Sequence, residues 1–302
     1  MSKFDIYKMV TNQIIDRLEK GIVPWQMPWK SESGIPRNLI SKKPYRGINF
    51  WYLLSFNLGR PYFLTFNQIR KIGARLKKGS ESFRVIFWKL LEIEKEDSVD
   101  TITYLRYYRI FHIDSVEGIP DKLIPKGKDH DHDFNPISSC EQIVRNWKDK
   151  PMIELNHQQA AYLPWSDKVI MPCSRTFYKD EYFYSVLYHE LTHSTGHSSR
   201  TGRHKIFPDH QFGCNDYSQE ELCGEMGAAF LCGITGIENK TIDKSAAYLN
   251  SWLTKLRSDK KFIIQAATHA QRAVDYILAN QQEPFYPVPI PEQEPELVTF
   301  SY

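Results

Sequence analysis

The sequence lacks the features that mark membrane, secreted and fibrous proteins. It has no run of about eighteen apolar residues, so it predicts no membrane-spanning helix. Residues 1–20 mix charged and apolar side chains and contain no apolar signal-peptide core. The five cysteines are odd in number and irregularly spaced, which argues against a disulfide framework, and no internal repeat is visible. These absences favour a soluble, cytoplasmic protein with reduced thiols.

The sequence does contain enough apolar material for two ordinary domains. Of its 302 residues, 41% are hydrophobic and 14% are aromatic, which excludes an intrinsically disordered chain. Residues 1–150 carry 26 basic and 18 acidic side chains, a net charge of +8, whereas residues 151–302 carry 13 and 18, a net charge of −5. We therefore expect two domains with different partners, residues 1–135 and 136–282, followed by a proline- and acid-rich tail at 283–302.

The first region alternates between helical and strand patterns. Apolar spacings of three and four predict helices at residues 4–20 and 65–76, and an aromatic helix is expected at 49–56. Residues 83–88 and 101–113 are rich in β-branched and aromatic side chains and predict two antiparallel strands. We place the domain boundary near residue 135, in a segment without periodicity. The first region is thus expected to be a mixed α/β domain with a small antiparallel sheet.

The basic charge of this region is concentrated between residues 30 and 89, which hold 13 basic and two acidic side chains. Aromatic residues lie between the cations, a composition typical of proteins that bind single-stranded nucleic acid, because cations contact phosphates and aromatic faces stack on unpaired bases. A basic surface that serves only solubility is the alternative. No sequence-reading element is visible, so binding is expected to be non-specific. The candidate contacts are Arg37, Lys42, Lys43, Tyr45, Arg46, Lys77, Lys78 and Arg84.

The second region contains the strongest chemical signal, His189-Glu190-Leu191-Thr192-His193. On a helix, residues four apart lie on one face, so both imidazoles can bind one zinc ion. Glu190 then lies beside the ion, where it can take a proton from the zinc-bound water, as the glutamate of H-E-x-x-H hydrolases does. We therefore predict one catalytic zinc ion, with Glu190 as the general base.

A third protein ligand is expected from a later helix. The longer pattern H-E-x-x-H-x-x-G-x-x-H is excluded, because Ser199 occupies the position of its third histidine. We assign Glu221 as the ligand and Glu225, one helical turn later, as the hydrogen-bond acceptor of a ligand histidine. Alternatives stay open: Glu221 also fits a capping box that begins at Ser218, and the adjacent Glu220 leaves the register uncertain by one residue. Glu225 itself is the alternative ligand.

The other elements of the second region frame this site. Residues 160–172 predict a short hairpin, and long helices are expected at about 178–196, 218–233 and 243–281. Residues 169–171, which precede the metal-binding helix, are expected to form an edge strand along which an extended substrate pairs. The fold class expected for the whole chain is α+β, with a gluzincin-like second domain.

Six segments give the chain a resemblance to the antirestriction proteins of the ArdC type, which conjugative plasmids and other mobile elements carry. They are PRNLISKKPYRGINFWYL, LTFNQIRKIGARLKKGSESFRVIFWK and YYRIFHI in the first region, and AAYLPWSDKVIMP, YHELTHSTGHSSR and EELCGEMGAAFLC in the second. The resemblance implies an N-terminal domain that binds single-stranded DNA, also found on TraC-type plasmid primases, and a C-terminal zincin-like metallopeptidase domain. It also implies protection of incoming DNA from restriction.

Two hypotheses follow. In the first, an antirestriction-type protein of a mobile element binds single-stranded DNA non-specifically and uses zinc, with Glu190 as general base, to hydrolyse a protein that it meets on DNA. In the second, the chain is a DNA-binding shield or a primase-associated module whose zinc is structural. The primase role is the weaker one, because no polymerase motif or acidic metal pair is present. Neither hypothesis includes a membrane partner.

Overall fold

A computed structural model describes residues 5–26, 35–56, 58–95, 98–124, 136–203, 215–237, 239 and 245–278. The expected domain boundary near residue 135 and the tail at 283–302 lie outside these residues. The fold combines helices with small sheets, which confirms the α+β prediction. None of the described helices has both the length and the apolar character needed to cross a bilayer.

The elements of the N-terminal half are α1 (Ile6–Glu19), β1 (Arg37–Asn38), α2 (Ile48–Leu54), β2 (Tyr62–Thr65), α3 (Phe66–Lys71), β3 (Arg75–Leu76), β4 (Phe83–Lys95), β5 (Ser98–His112) and β6 (Val116–Glu117). Those of the C-terminal half are α4 (Pro136–Asn146), β7 (Met152–Glu154), β8 (Ala161–Leu163), β9 (Lys168–Ile170), α5 (Asp180–Ser194), α6 (Asn215–Thr235), α7 (Ser245–Ser258) and α8 (Phe262–Ile277).

The main sheet of the N-terminal half has the strand order β1-β2-β5-β4. β4 and β5 form the expected antiparallel hairpin, with Phe83 opposite Ile110. Phe83 and Val85 lie two residues apart on one face of β4, and both are buried. β1 adds to β2 in parallel, so the sheet is mixed and not purely antiparallel as expected.

The helix predicted at 65–76 is shorter than expected. Thr65 begins it with a capping box, in which its hydroxyl accepts from the Gln68 N–H and the Gln68 side chain accepts from the Thr65 N–H. Gly73 then adopts a φ of 75°, a left-handed conformation that ends a right-handed helix. Arg75–Leu76 forms β3 instead, which pairs with β6.

The sheet of the C-terminal half corrects the expected edge strand. Its order is β7-β9-β8, so β9, which contains Val169, is the central strand, and residues 169–171 are not an edge. The cause is β7, a strand absent from the sequence-based prediction, which pairs with β9 in parallel. β8 and β9 form the hairpin that was expected at 160–172, and β8 is the edge strand on that side.

The single helix expected at about 243–281 is two helices, α7 and α8. Asp259 separates them, because its side chain accepts a hydrogen bond from the backbone N–H of Lys261 at 2.8 Å. Such a local bond competes with the backbone bonds of a continuous helix. α8 begins three residues after Asp259 and returns along α6.

The two halves of the chain share one hydrophobic core. Phe50 and Trp51 of α2 contact Phe230 of α6, with ring centroids 4.6 and 4.5 Å apart. Trp25 contacts Trp252 of α7 edge-on at 5.6 Å. All of these rings are buried, and their burial is the main stabilising contribution of such contacts. The helix that carries the predicted glutamate ligand therefore packs directly against the basic half.

Candidate metal centre and nucleic-acid contacts

Close packing of α5 on α6 builds the candidate metal centre. A methyl group on Gly224 would lie 2.7 Å from Nε2 of His193 and 2.8 Å from Cε1 of His189, and one on Gly227 would lie 2.4 Å from the Thr192 side chain. Any larger residue at position 224 or 227 would therefore push the side chains of α5 out of their observed positions. The lack of a side chain at both glycines lets α6 approach the imidazole face of α5.

The packing brings together His189, His193 and Glu221. The Nε2 atoms of the two histidines lie 2.9 Å apart. Oε2 of Glu221 lies 3.7 Å from Nε2 of His189, and Oε1 lies 3.8 Å from Nε2 of His193. Glu225, the alternative ligand, is buried one turn later on α6. Among the residues that the structure describes, the group whose ligand atoms converge contains Glu221 and not Glu225.

The orientation of His193 is set by a residue that the sequence analysis did not assign to this role. Nδ1 of His193 lies 2.9 Å from Oε1 of Glu220, and Arg203 donates to both oxygens of Glu220 at 2.7 Å. Because a carboxylate accepts hydrogen bonds, Nδ1 of His193 is the donor in this contact, and the contact fixes the ring with Nε2 toward His189. The carboxylate on the far nitrogen of His193 is thus Glu220, and the role expected of Glu225 toward a ligand histidine stays a prediction.

Arg203 is itself almost fully buried, at 2% exposed. Besides Glu220, it donates to the Thr192 carbonyl and to the Thr195 hydroxyl, both at 3.0 Å. These two acceptors lie at the C-terminal end of α5, where helix carbonyls lack intrahelical partners. The sequence offered no periodic signal for this residue, because Arg203 follows a turn and belongs to no long element.

The charges of the centre favour a cation. Burial opposes protonation of His189, but the close contact with the Glu221 carboxylate and the charges of Glu190, Glu221 and Glu225 outweigh it and raise the pKa of His189 to about 10. Burial also opposes ionisation of Glu221, but the two histidines outweigh it and lower its pKa to about 2. The carboxylates therefore keep a proton on His189 at neutral pH, and a divalent cation could replace that proton.

The ligand set fits a metal ion in both chemistry and dimensions. Ligand atoms about 2.0–2.2 Å from a tetrahedral ion lie roughly 3.3 Å from one another. The observed separations of 2.9, 3.7 and 3.8 Å bracket that value. Three protein ligands leave one tetrahedral position open, as catalytic sites require. Two imidazoles and one carboxylate suit several first-row ions, so the set does not select zinc alone.

Glu190 is fixed beside this group by the edge strand. Its Oε2 accepts a hydrogen bond from the backbone N–H of Tyr162 in β8 at 2.8 Å. The Tyr162 hydroxyl donates to Asp167 at 2.9 Å, and Arg200 binds both oxygens of Asp167 at 2.7 and 2.8 Å. Arg200 also donates to the Ser194 carbonyl at the end of α5. The hairpin and the metal-binding helix are thereby held together at two points.

The eight predicted nucleic-acid contacts divide into two groups. Lys42, Lys43, Lys77 and Lys78 are exposed. The others are Arg37, Tyr45, Arg46 and Arg84, each of which is buried or half-buried. Tyr45 is a core residue, because its ring packs edge-on against Phe63 at 5.9 Å and leaves no face for a base. Arg46 forms an ion pair with Asp275 of α8, so it links the two halves of the chain.

Arg70 and Lys71 of α3 are among the exposed cations that were not sequence-based candidates. Within the described ranges, neither they nor the four exposed lysines have an ion-pair or hydrogen-bond partner for their side chains. We call these six residues, Lys42, Lys43, Arg70, Lys71, Lys77 and Lys78, the unpaired cations. The helical spacing of α3 could have identified Arg70, because Ile69 marks the buried face and Arg70 lies off it.

Two protein-family models match this chain, one in its basic N-terminal half and the other in its acidic C-terminal half. Residues 4–111 match the model of the N-terminal domain of anti-restriction factor ArdC, and residues 139–269 match that of a zincin-like metallopeptidase. Two DNA primases TraC of Escherichia coli are each 27% identical over 93% of this chain. The chain spans only 20% and 28% of the length of these primases. The uncharacterized protein y4eC of Sinorhizobium fredii is 29% identical over 92% of this chain and 93% of its own length.

Solved structures extend the match to the whole fold. The crystal structure of the antirestriction protein ArdC of plasmid R388 in its metal-free form is 32% identical, covers 93% of this chain and 100% of that protein, and superposes with a TM-score of 0.74. The Mn(II)-bound structure of the same protein gives 32% identity, coverage of 92% and 99%, and a TM-score of 0.75. With this identity over the full length of the relative, the chain belongs to the ArdC antirestriction family.

Proposed function

We propose that this protein is an antirestriction factor of a mobile element that binds single-stranded DNA and hydrolyses peptide bonds at a metal centre formed by His189, His193 and Glu221. The observation that carries the catalytic part is the convergence of these three ligands within 4.8 Å of one another, with Glu190 fixed at their side. Zinc is the proposed ion. The Mn(II)-bound relative makes manganese the alternative.

Each residue has a defined role in this proposal. A cation held by the three ligands would polarise a substrate carbonyl and acidify a water molecule. Glu190 would receive the proton of that water on Oε1, because Tyr162 already occupies Oε2 and no described residue donates to Oε1. Glu220 would keep Nε2 of His193 directed at the cation through its bond to Nδ1. Glu225 would add negative charge beside His189 without binding the ion.

The substrate of this reaction would pair with β8. The Tyr162 N–H bonds to Glu190 and not to β9, so the Tyr162 backbone faces the outer side of the sheet. Its carbonyl is therefore oriented to accept a hydrogen bond from an extended peptide, beside the proton acceptor. We expect the substrate to be a protein met on DNA, because a shared strand raises the local concentration of enzyme and substrate without tight peptide binding.

The six unpaired cations support the DNA-binding part. A cation without a carboxylate partner can neutralise a phosphate without first breaking an ion pair, and each neutralised phosphate releases counterions. All six lie between residues 42 and 78, within the segment that matches the ArdC N-terminal domain. Binding to backbone phosphates predicts little sequence preference.

A second candidate function is a DNA-binding shield in which the metal is structural. It is favoured by the placement of the ligands on two helices, since a cation bound to His189 and His193 of α5 and to Glu221 of α6 would tie these helices together. In this reading Glu190 has no catalytic task. Metal removal would loosen the fold and abolish protection without any hydrolysis.

The substitution Glu190→Gln separates the two functions. The amide oxygen of glutamine can still accept the Tyr162 N–H bond, so the geometry is kept, but the side chain can no longer take up a proton. A hydrolytic role predicts loss of protection against restriction in cells, with metal content by elemental analysis and oligonucleotide binding unchanged. Full protection by Glu190→Gln would reject hydrolysis and favour the shield. Metal contents of Glu221→Ala and Glu225→Ala, measured in parallel, test the third ligand: only the first variant should lose the ion.

A further inference from the structure

Helix α3 presents an apolar ring and a cation side by side to solvent. Phe66 is 42% exposed, one of the few large apolar side chains of the N-terminal half with this exposure. Arg70 follows four residues later, so its side chain lies on the same side of the helix as that of Phe66, whereas Ile69 between them in sequence turns into the core and is fully buried. An exposed aromatic ring next to an exposed guanidinium has no role in the core of this domain.

The turn after β1 lies next to the first turn of α3. The side-chain amides of Asn38 and Gln68 bond to each other, with Nδ2 of Asn38 2.8 Å from Oε1 of Gln68 and Nε2 of Gln68 3.1 Å from Oδ1 of Asn38. The same Oδ1 accepts the backbone N–H of Ile40 at 3.1 Å. Ile40, a second exposed apolar residue, is thus held close to the start of α3. We call the exposed side chains of this turn and of the Phe66 side of α3 the Phe66 patch, and its members are Ile40, Lys42, Lys43, Phe66 and Arg70.

The Phe66 patch is positive and rigid. Its three cations, Lys42, Lys43 and Arg70, belong to the unpaired set, whereas Arg46 and Arg60 of the same half form ion pairs with Asp275 and Asp114. The capping box of Thr65 holds the start of α3, and two backbone bonds between Asn38 and the 42–43 segment hold the turn. A surface fixed in this way loses little conformational entropy when a ligand binds.

We propose that the Phe66 patch is the subsite that takes an unpaired nucleobase of the bound DNA, with the ring of Phe66 stacked on the base and the surrounding cations on its flanking phosphates. The inference rests on the DNA-binding function proposed above, and it names Phe66 as the residue that contacts a base. A base in a duplex is stacked on both faces and offers none to Phe66, so the patch selects single strands. An acidic peptide would match the charge but would not need the ring.

The test compares Phe66→Ala with Phe66→Trp and with the control Tyr178→Ala, a fully exposed aromatic residue of the other half. The protein is full length, and the probes are a short oligothymidylate, the corresponding duplex and heparin, a polyanion without bases. Loss of one stacking contact should weaken oligothymidylate binding about 5- to 100-fold in Phe66→Ala. Phe66→Trp should bind at least as tightly as wild type and show additional quenching of tryptophan emission. Heparin binding and the Tyr178→Ala variant should be unchanged.

Each other outcome has a distinct meaning. If wild type binds oligothymidylate and Phe66→Ala binds it equally well, the subsite is refuted while DNA binding stands. If Phe66→Ala weakens heparin binding as much as oligothymidylate binding, the ring serves only the local structure and stacking is refuted. If wild type binds duplex as tightly as single strand, selection by the patch is refuted. If wild type binds none of the nucleic acids, the proposed DNA function itself fails.

Discussion

The metal centre and the unpaired cations are built in opposite ways. At the centre, partners hold the functional side chains: Glu220 binds His193, Arg203 binds Glu220, and Tyr162 binds Glu190. Lys42, Lys77 and the other unpaired cations have no such partners in the described part of the chain. A metal ion requires ligand positions fixed to fractions of an ångström, whereas a mobile strand requires only positive charge within reach. A single substitution at the metal centre should therefore abolish metal binding, whereas each substitution among the unpaired cations should weaken DNA binding only by a small step.

The largest expected effect is that of Gly224→Ala. The added methyl group would overlap both imidazoles, at 2.7 Å from Nε2 of His193 and 2.8 Å from Cε1 of His189, and would force the two ligands apart. We expect a loss of measurable Mn²⁺ and Zn²⁺ binding by titration calorimetry. Gly59→Ala is the matched control, because no atom lies within 4 Å of its added methyl group. Normal binding by Gly224→Ala would mean that the ion does not bind between these rings.

The next effect is on stability, through the buried pair of Arg203 and Glu220. Arg203→Met leaves the Glu220 carboxylate buried without its cation, which typically costs about 3–5 kcal/mol. The double variant Arg203→Met/Glu220→Gln removes both charges and should recover most of this loss. Urea denaturation of the metal-free proteins measures the free energies of unfolding. Equal losses in the single and double variants would show that the ion pair is not what Arg203 contributes.

These two regions were also predictable to different degrees. The ligands His189, His193 and Glu221 could be proposed from spacing, because helical periodicity alone places residues four apart on one face. The role of Glu220 could not, since only the packing of α6 against α5 decides which of two adjacent glutamates faces His193. Arg203 gave no signal at all, because its partners lie on other elements, 17 residues away in the case of Glu220 on α6 and 11 residues away in the case of Thr192 on α5. Long-range side-chain pairs of this kind have no sequence period.

The fold shows the same limit. The two hairpins and helices α1, α5 and α6 follow local patterns and were expected, but β1 and β7 are two and three residues long and depend on pairing partners elsewhere in the chain. Missing β7 led to the assignment of residues 169–171 as an edge. Likewise Tyr45 satisfied the composition expected of a DNA contact, but its burial depends on Phe63, which lies on another strand. Composition predicts the charge of a surface and not which aromatic residues remain on it.

A smaller effect concerns the pH dependence of the metal-free protein. His189 has its pKa raised from 6.5 to about 10, so its contribution to stability is complete below pH 6.5 and is lost as the pH rises toward 10. Glu221 has its pKa lowered from 4.5 to about 2, so its contribution is complete above pH 4.5 and is lost as the pH falls toward 2. Thermal unfolding in chelator should show a stability maximum between these limits, pH 4.5–6.5.

Saturating Zn²⁺ should shift that maximum to higher pH, because the cation replaces the proton on His189. The Glu221→Gln variant serves as the control, since it removes the carboxylate partner of His189 and should flatten both limbs of the profile. A stability maximum of the metal-free wild type above pH 8 would contradict the charge distribution described for the centre.

The smallest effects are expected for single cations of the N-terminal half, and they sharpen the distinction between paired and unpaired charges. Lys42→Ala/Lys43→Ala removes two unpaired cations, so the slope of log affinity against log salt for oligothymidylate should become shallower by about 1.4, which corresponds to two lost phosphate contacts on a single strand. Arg46→Ala removes a cation already engaged by Asp275, and the slope should not change. Arg46→Ala could instead change the salt slope as much as Lys42→Ala/Lys43→Ala does. Phosphate contact would then not depend on whether a cation is paired within the protein, and the distinction between paired and unpaired cations would fail.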